Sequence, residues 1–118
     1  MGLASTASGH VLVATKTGTG GALHRYSPGR TTSTTLATFA ATAYSAVERR
    51  NSGEIYVELL GTPKIQRLAR DGGVLALDAG LAANPNGIGR LQIGPDGQLY
   101  RLIGAANANA TLEVYPVP

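Results

Sequence analysis

The stretch Ile93-Gly94-Pro95-Asp96-Gly97-Gln98-Leu99-Tyr100-Arg101-Leu102 joins the end of one apolar run to an alternating run through a Pro-Asp-Gly turn. Proline presets φ for the second position of a tight turn, and aspartate hydrogen-bonds the backbone just ahead of it. Glycine adopts the left-handed conformation that closes such a turn. The stretch therefore predicts a β-hairpin.

Two other stretches align with this one on the turn glycine. The interval from Gly9 to Gly53 is 53 − 9 = 44 residues, and the interval from Gly53 to Gly97 is 97 − 53 = 44 residues. The residues that follow each glycine match in class: His10-Val11-Leu12-Val13, Glu54-Ile55-Tyr56-Val57 and Gln98-Leu99-Tyr100-Arg101. Equal intervals with matching residue classes predict three copies of one structural unit.

Each unit reads as a series of short strands separated by turn residues. The first two units are predicted to have four strands each, at residues 1–5, 10–15, 22–26 and 31–39, then at residues 45–49, 54–60, 64–68 and 74–77. The third unit is predicted to have three, at residues 89–93, 98–103 and 111–115, with no room for a fourth. The alanine-rich segment 37–46 is open to a helical interpretation, because alanine is the best helix former.

A 44-residue period with four antiparallel strands is typical of a β-propeller blade and not of a sandwich. We expect one all-β domain of three blades, at about residues 1–40, 41–80 and 81–118, the last one lacking its outer strand. Three blades leave an apolar sheet face uncovered at each end. A homodimer, in which two copies close a six-bladed ring, would cover both faces. Two alternatives stay open, namely that the chain is part of a longer propeller or that the outer strand of the first unit pairs differently.

The segment Asn84-Pro85-Asn86-Gly87-Ile88, followed by the stretch from Ile93 to Tyr100, resembles the repeat of the NHL and gluconolactonase-like six-bladed β-propellers. In those proteins a Pro-x-Gly-Ile segment precedes a Pro-Asp-Gly-x-Leu-Tyr strand. The resemblance implies a six-bladed ring. The family includes lactonases, lyases and interaction scaffolds, so the resemblance implies a fold more directly than an activity.

Composition restricts the possible partners. The net charge is +3, and Arg49-Arg50 is the only adjacent basic pair, so the clustered basic stripe of a nucleic-acid interface is missing. The apolar run at residues 74–77 ends at Asp78, far short of a membrane span. No basic and then apolar signal segment opens the chain, so we expect a soluble protein that binds neither nucleic acid nor membranes.

Residues that could carry chemistry are scattered. The two histidines, His10 and His24, lack metal-ligand spacing, and the chain has no cysteine. The loop Gly18-Thr19-Gly20-Gly21 lacks the Lys-Ser/Thr ending of a phosphate-binding loop. We therefore expect no catalytic residue, no metal and no cofactor.

The best candidate binding patch lies at the mouth of the expected channel, where the first strand of each blade meets its entry loop. Its candidate residues are Tyr44, Glu48, Arg49, Asn84, Asn86, Arg90 and Gln92. Mutual neutralisation of Arg and Glu beside solvent would also explain the charges. We expect a non-enzymatic binding and assembly module for a small polar ligand or a protein partner. The alternative is a hydrolase or lyase with a metal-assisted site in the channel.

Overall fold

The computed structural model describes residues 2–5, 9–29, 31–49, 52–60, 65–76, 89–103 and 111–115. Within these ranges the chain forms eleven strands and no helix. The strands are β1 (Gly2–Ser5), β2 (Val11–Lys16), β3 (Gly21–Tyr26), β4 (Ser33–Phe39), β5 (Ala43–Glu48), β6 (Ile55–Leu59), β7 (Ile65–Leu68), β8 (Val74–Leu75), β9 (Gly89–Ile93), β10 (Leu99–Ile103) and β11 (Thr111–Tyr115). The all-β prediction is confirmed.

The strands form three antiparallel sheets that follow one another along the chain. Sheet I has the order β1-β2-β3-β4, sheet II has the order β5-β6-β7-β8, and sheet III has the order β9-β10-β11. Within each sheet, every strand pairs with the next one in sequence, as short antiparallel connections allow. The described part of the third unit thus contains three strands, as the sequence predicts.

The helical interpretation of residues 37–46 is wrong. Strand β4 continues to Phe39, and β5 begins at Ala43. A β-bulge lies between Ala43 and Ser45, which pair with Leu59 and Glu58 and leave Tyr44 as the extra residue. Ala43 and Ala46 are buried in the cluster between sheets I and II, and Ala37, Phe39 and Ala41 pack against it. This packing outweighs the intrinsic helix propensity of alanine.

The three aligned glycines occupy the same backbone conformation. Their φ angles are +82° at Gly9, +73° at Gly53 and +80° at Gly97. Side chains other than glycine rarely adopt this left-handed region, so the spacing of 44 residues reflects a shared turn geometry.

The Pro-Asp-Gly turn has the hydrogen bonds that its residues predict. The Gly97 amide donates to the Gly94 carbonyl at 2.9 Å, and the Gln98 amide donates to Asp96 Oδ1 at 3.0 Å. The Tyr100 hydroxyl donates to Asp96 Oδ2 at 2.6 Å. This last bond lowers the pKa of Asp96 and raises the pKa of Tyr100. The turn is therefore tied to the strand that follows it.

Two apolar clusters hold the sheets together. The first lies between sheets I and II and consists of Leu12, Ala14, Leu23, Ala43, Ala46, Ile55, Val57, Leu59 and Leu68, with Leu36, Ala37, Phe39 and Ala41 packed at its margin. The second lies between sheets II and III and consists of Val47, Tyr56, Ile65, Leu91 and Leu99, with Ile93 at its margin. Successive residues of a strand point to opposite faces, so sheet II supplies side chains to both clusters.

Candidate functional site

The predicted patch residues on β5 do not meet at one place. Tyr44 lies inside β5 at its bulge, and not in the loop that enters the strand. Glu48 ends the strand and Arg49 follows it. Tyr44 and Glu48 are separated by four residues of extended chain, or about 13 Å. The two ends of β5 therefore belong to opposite ends of the sheet.

Glu48 and Arg49 are engaged by neighbouring charges. The Glu48 carboxylate lies 3.9 Å from Arg25 Nη2, and the same nitrogen donates to the Arg70 carbonyl at 2.9 Å. Arg49 Nη1 lies 3.8 Å from Glu54 Oε2. Neutralisation between neighbouring side chains thus accounts for these two candidates, with Arg25 and Glu54 as partners that the sequence did not indicate.

The remaining patch residues lie elsewhere. Gln92 is an exposed residue of β9, on the side of sheet III away from sheet II. Arg90 is paired with Leu102 in the strand register. Asn84 and Asn86 lie outside the described residues.

Charged side chains lie around buried Tyr56, near the beginning of strand β6. Arg67 binds both carboxylate oxygens of Glu54, one of them through Nε at 3.1 Å, and Arg67 Nη1 donates to the Ala76 carbonyl at 3.1 Å. The hydroxyl of Tyr56 is buried beside these side chains without a hydrogen bond of normal geometry. Burial and then the Glu54 carboxylate raise the pKa of Tyr56, while Arg67 and Arg49 oppose them.

Three of the five large apolar side chains that are exposed among the described residues lie on sheet III. Leu102, Leu112 and Val114 are 48%, 60% and 51% exposed. The register pairs Leu102 with Leu112 and Tyr100 with Val114, so these four side chains share one face. Gln92, paired with Tyr100, lies on the same face, which we call the free face of sheet III. No described sheet packs against it.

Sheet I has a corresponding surface. Leu12 and Ala14 point into the cluster shared with sheet II, so Val11, Val13 and Thr15 point the other way. Val11 is paired with Tyr26 and Val13 with His24. These five residues form the free face of sheet I, on which no described sheet packs either. Sheet II therefore has a partner on both sides, while sheets I and III each have one on a single side.

A buried ion pair joins sheets II and III. Arg101 Nε binds Glu58 Oε2, and both side chains are 0% exposed. Arg101 Nη1 also donates to Glu113 Oε1 at 3.2 Å. No local feature of the sequence marks Glu58 as a partner of Arg101. The alignment held a signal, because Arg101 occupies the position of Val13 and Val57 in the other units.

A shallow pocket lies near the start of β5, whereas Glu48 lies at the end of that strand. Its volume is about 250 Å³, and its lining comes from the β2–β3 loop, the chain entering β5 and the end of β6: Lys16, Thr17, Gly18, Thr19, Gly20, Ala40, Ala41, Thr42 and Leu60. The predicted glycine loop closes on itself, since the Thr17 amide donates to the Gly20 carbonyl at 2.8 Å and the Gly20 amide donates to Thr17 Oγ1 at 3.1 Å. The glycine-rich loop thus forms a hydrogen-bonded turn in the wall of the pocket.

In the part of the chain that the structure describes, no three acidic or histidine side chains are placed to hold a metal ion. No helix among these residues is long and apolar enough to cross a membrane. Comparison with protein-family models, with curated proteins and with solved structures finds no match to this chain.

Proposed function

We propose that this chain is a non-enzymatic assembly and binding module, built as three propeller blades that a second copy completes to a six-bladed ring. The observation that carries the proposal is the free face of sheet III, with three aliphatic side chains each about half exposed. Contiguous exposed apolar surface of this kind marks interaction sites in soluble proteins. The 44-residue repeat and the resemblance to NHL-type propellers support the blade interpretation.

The two free faces support self-association because each copy carries both. Within the chain, sheet I packs on sheet II and sheet II packs on sheet III through apolar faces. A two-fold axis would place sheet III of each copy on sheet I of the other, so that both contacts form together and the ring closes.

The solution mass tests this assembly. Sedimentation velocity of the wild-type chain should give twice the 12.1 kDa of one chain. Leu112→Glu places a charge on the free face of sheet III and should weaken association about a hundredfold or more, because an unpaired charge would be buried. Val74→Glu is the matched control, since Val74 is exposed on β8, away from that face. A well-folded wild-type monomer at all concentrations would contradict the proposal.

The binding part of the proposal rests on the pocket beside Lys16. A cationic side chain, threonine hydroxyls and glycine backbone in its lining suit a small polar, anionic ligand. Ligand-observed NMR with small carboxylates and phosphates should detect binding that Lys16→Glu abolishes. Binding that persists unchanged in this variant would exclude the pocket.

The enzymatic alternative requires that the protein bind a divalent cation. A metal-assisted hydrolase or lyase should show a cation-dependent rise in melting temperature, since a ligand that binds only the native state stabilises it. A binding module should show none. Glu48→Gln tests the one predicted channel carboxylate, because a shift that depends on this residue would favour the enzyme.

A further inference from the structure

Two positions of the repeat meet wherever one sheet packs on the next. The residue five places after the repeat glycine is Ala14, Glu58 or Leu102 in the three units. The residue four places after it is Val13, Val57 or Arg101. The two residues are adjacent in the strand, so in each sheet their side chains point to opposite faces.

Both boundaries between described sheets use these two positions. Between sheets II and III, Glu58 at the fifth position binds Arg101 at the fourth. Between sheets I and II, Ala14 and Val57 occupy the same two positions and are both completely buried in one cluster. A polar pair fills one contact and a small apolar pair fills the other.

Among the residues that the structure describes, one residue of each type has no counterpart on a facing sheet. Leu102 lies at the fifth position on the free face of sheet III, where it is 48% exposed. Val13 lies at the fourth position on the free face of sheet I, where it is half-buried. Both are aliphatic, so they fit each other as Ala14 fits Val57.

We infer that Leu102 of one copy packs against Val13 of a second copy, in the register that the chain already uses between its own sheets. This inference rests on the proposed self-association and names its contact. Sheet II offers no competing surface to a second copy, because sheets I and III already cover its two faces. The buried pair of Arg101 and Glu58 keeps sheet III on sheet II, since Arg101 placed elsewhere would bury its charge without Glu58.

Copying the native ion pair onto the new contact tests the inference. Val13→Arg and Leu102→Glu reproduce the arrangement of Arg101 and Glu58 at the fourth and fifth positions. Each single variant should associate about a hundredfold more weakly than wild type, because it buries an unpaired charge in both contacts of the ring. The doubly substituted chain should associate again.

A one-to-one mixture of the two single variants gives the sharpest result. A mixed dimer has one native contact and one contact in which the two introduced charges meet. The mixture should therefore form dimers at concentrations where each variant alone is monomeric, as sedimentation velocity would show. Val74→Glu in place of Leu102→Glu is the control. It should dimerise with itself, and it should recruit Val13→Arg less well than Leu102→Glu does, because the mixed dimer keeps one contact with an unpaired charge. Circular dichroism and urea unfolding of each variant verify that it is folded.

The possible failures are distinguishable. A monomeric wild-type chain would overturn both the assembly and the contact. A wild-type dimer that survives both single substitutions would overturn the contact and leave the assembly standing. Folded single variants that are monomeric both alone and in the mixture would show that Leu102 and Val13 lie at the interface but not opposite each other, which overturns the inferred register.

Discussion

Glu58 and Arg101 form an ion pair across the boundary between sheets II and III, and neither side chain has any exposed surface. Removing two charges from water is costly, so the pair stabilises the fold only through close mutual contact. Arg101 gains a second acceptor in Glu113, which is 21% exposed at the side chain. Either member without the other would leave a buried, uncompensated charge at the boundary.

Loss of one member of this pair should be far more harmful than loss of both. Arg101→Met should lower the free energy of unfolding by about 3 to 5 kcal/mol, because Glu58 would remain buried without its cation. The double variant Glu58→Leu with Arg101→Met should recover most of that loss. Urea unfolding followed by circular dichroism measures all three.

The partly exposed pair of Glu54 and Arg67 offers the matched control. Both side chains contact solvent, at 19% and 22% exposure. Glu54→Gln should cost only about 1 kcal/mol or less, since solvent screens such pairs. Equal costs for Arg101→Met and Glu54→Gln would contradict the interpretation of Glu58 and Arg101 as a buried pair.

Tyr56→Phe should leave the protein as stable as wild type or more stable, by about 1 kcal/mol. The Tyr56 hydroxyl is buried and lacks a hydrogen bond of normal geometry, so its removal relieves a desolvation cost of about 1 to 3 kcal/mol. The measurement is urea unfolding at pH 7. A loss of more than about 1 kcal/mol, the usual worth of a neutral hydrogen bond, would show that the hydroxyl is bonded in solution.

The same variant should alter the response to alkali. The pKa of Tyr56 is raised in the folded protein, chiefly by burial. A raised folded pKa gives stability that is complete below the unfolded value, about 10 for tyrosine, and that is lost as the pH rises through the folded value. Wild type should therefore lose stability above pH 10 more steeply than Tyr56→Phe. Tyr100→Phe should act in the same direction, because the hydrogen bond to Asp96 also raises the pKa of Tyr100.

Two turn glycines should differ sharply in their tolerance of alanine. Both have left-handed φ, +95° at Gly72 and +80° at Gly97. A Cβ atom at Gly72 would overlap the carbonyl oxygen of Leu36 on sheet I, whereas one at Gly97 meets nothing within 4 Å. Gly97→Ala should cost about 1 to 2 kcal/mol, the usual penalty of a left-handed residue. Gly72→Ala should cost clearly more, as thermal unfolding would show.

The strand pattern was predictable because period-two alternation and turn residues act locally. The third sheet matches the expected strands at Gly89–Ile93 and Thr111–Tyr115 without a shift. The bulge at Tyr44 was not predictable, because it depends on how β5 and β6 pair. For the same reason the sequence predicts Tyr44 in a loop. In the structure β5 runs through Tyr44, so Tyr44 and Glu48 lie towards opposite ends of the strand.

Contacts between units were the least predictable part. Tyr56 and Tyr100 occupy equivalent positions, and the sequence suggests that both pack between units. Tyr56 does so, while Tyr100 lies on the free face of sheet III and binds Asp96. The partners of Glu48 and Glu58 come from other sheets, 48 − 25 = 23 and 101 − 58 = 43 residues away in the chain. Nothing in local periodicity encodes such pairs.

The position of sheet II between two unlike neighbours gives the molecule a direction. One end of the three-sheet stack presents the valine side chains of β2, and the other presents the leucine and valine side chains of β10 and β11. An assembly that joins one end to the other is head-to-tail, so it must either close or keep growing. A copy with one end blocked would then act as a terminator, which stops growth from one side and leaves the other side intact.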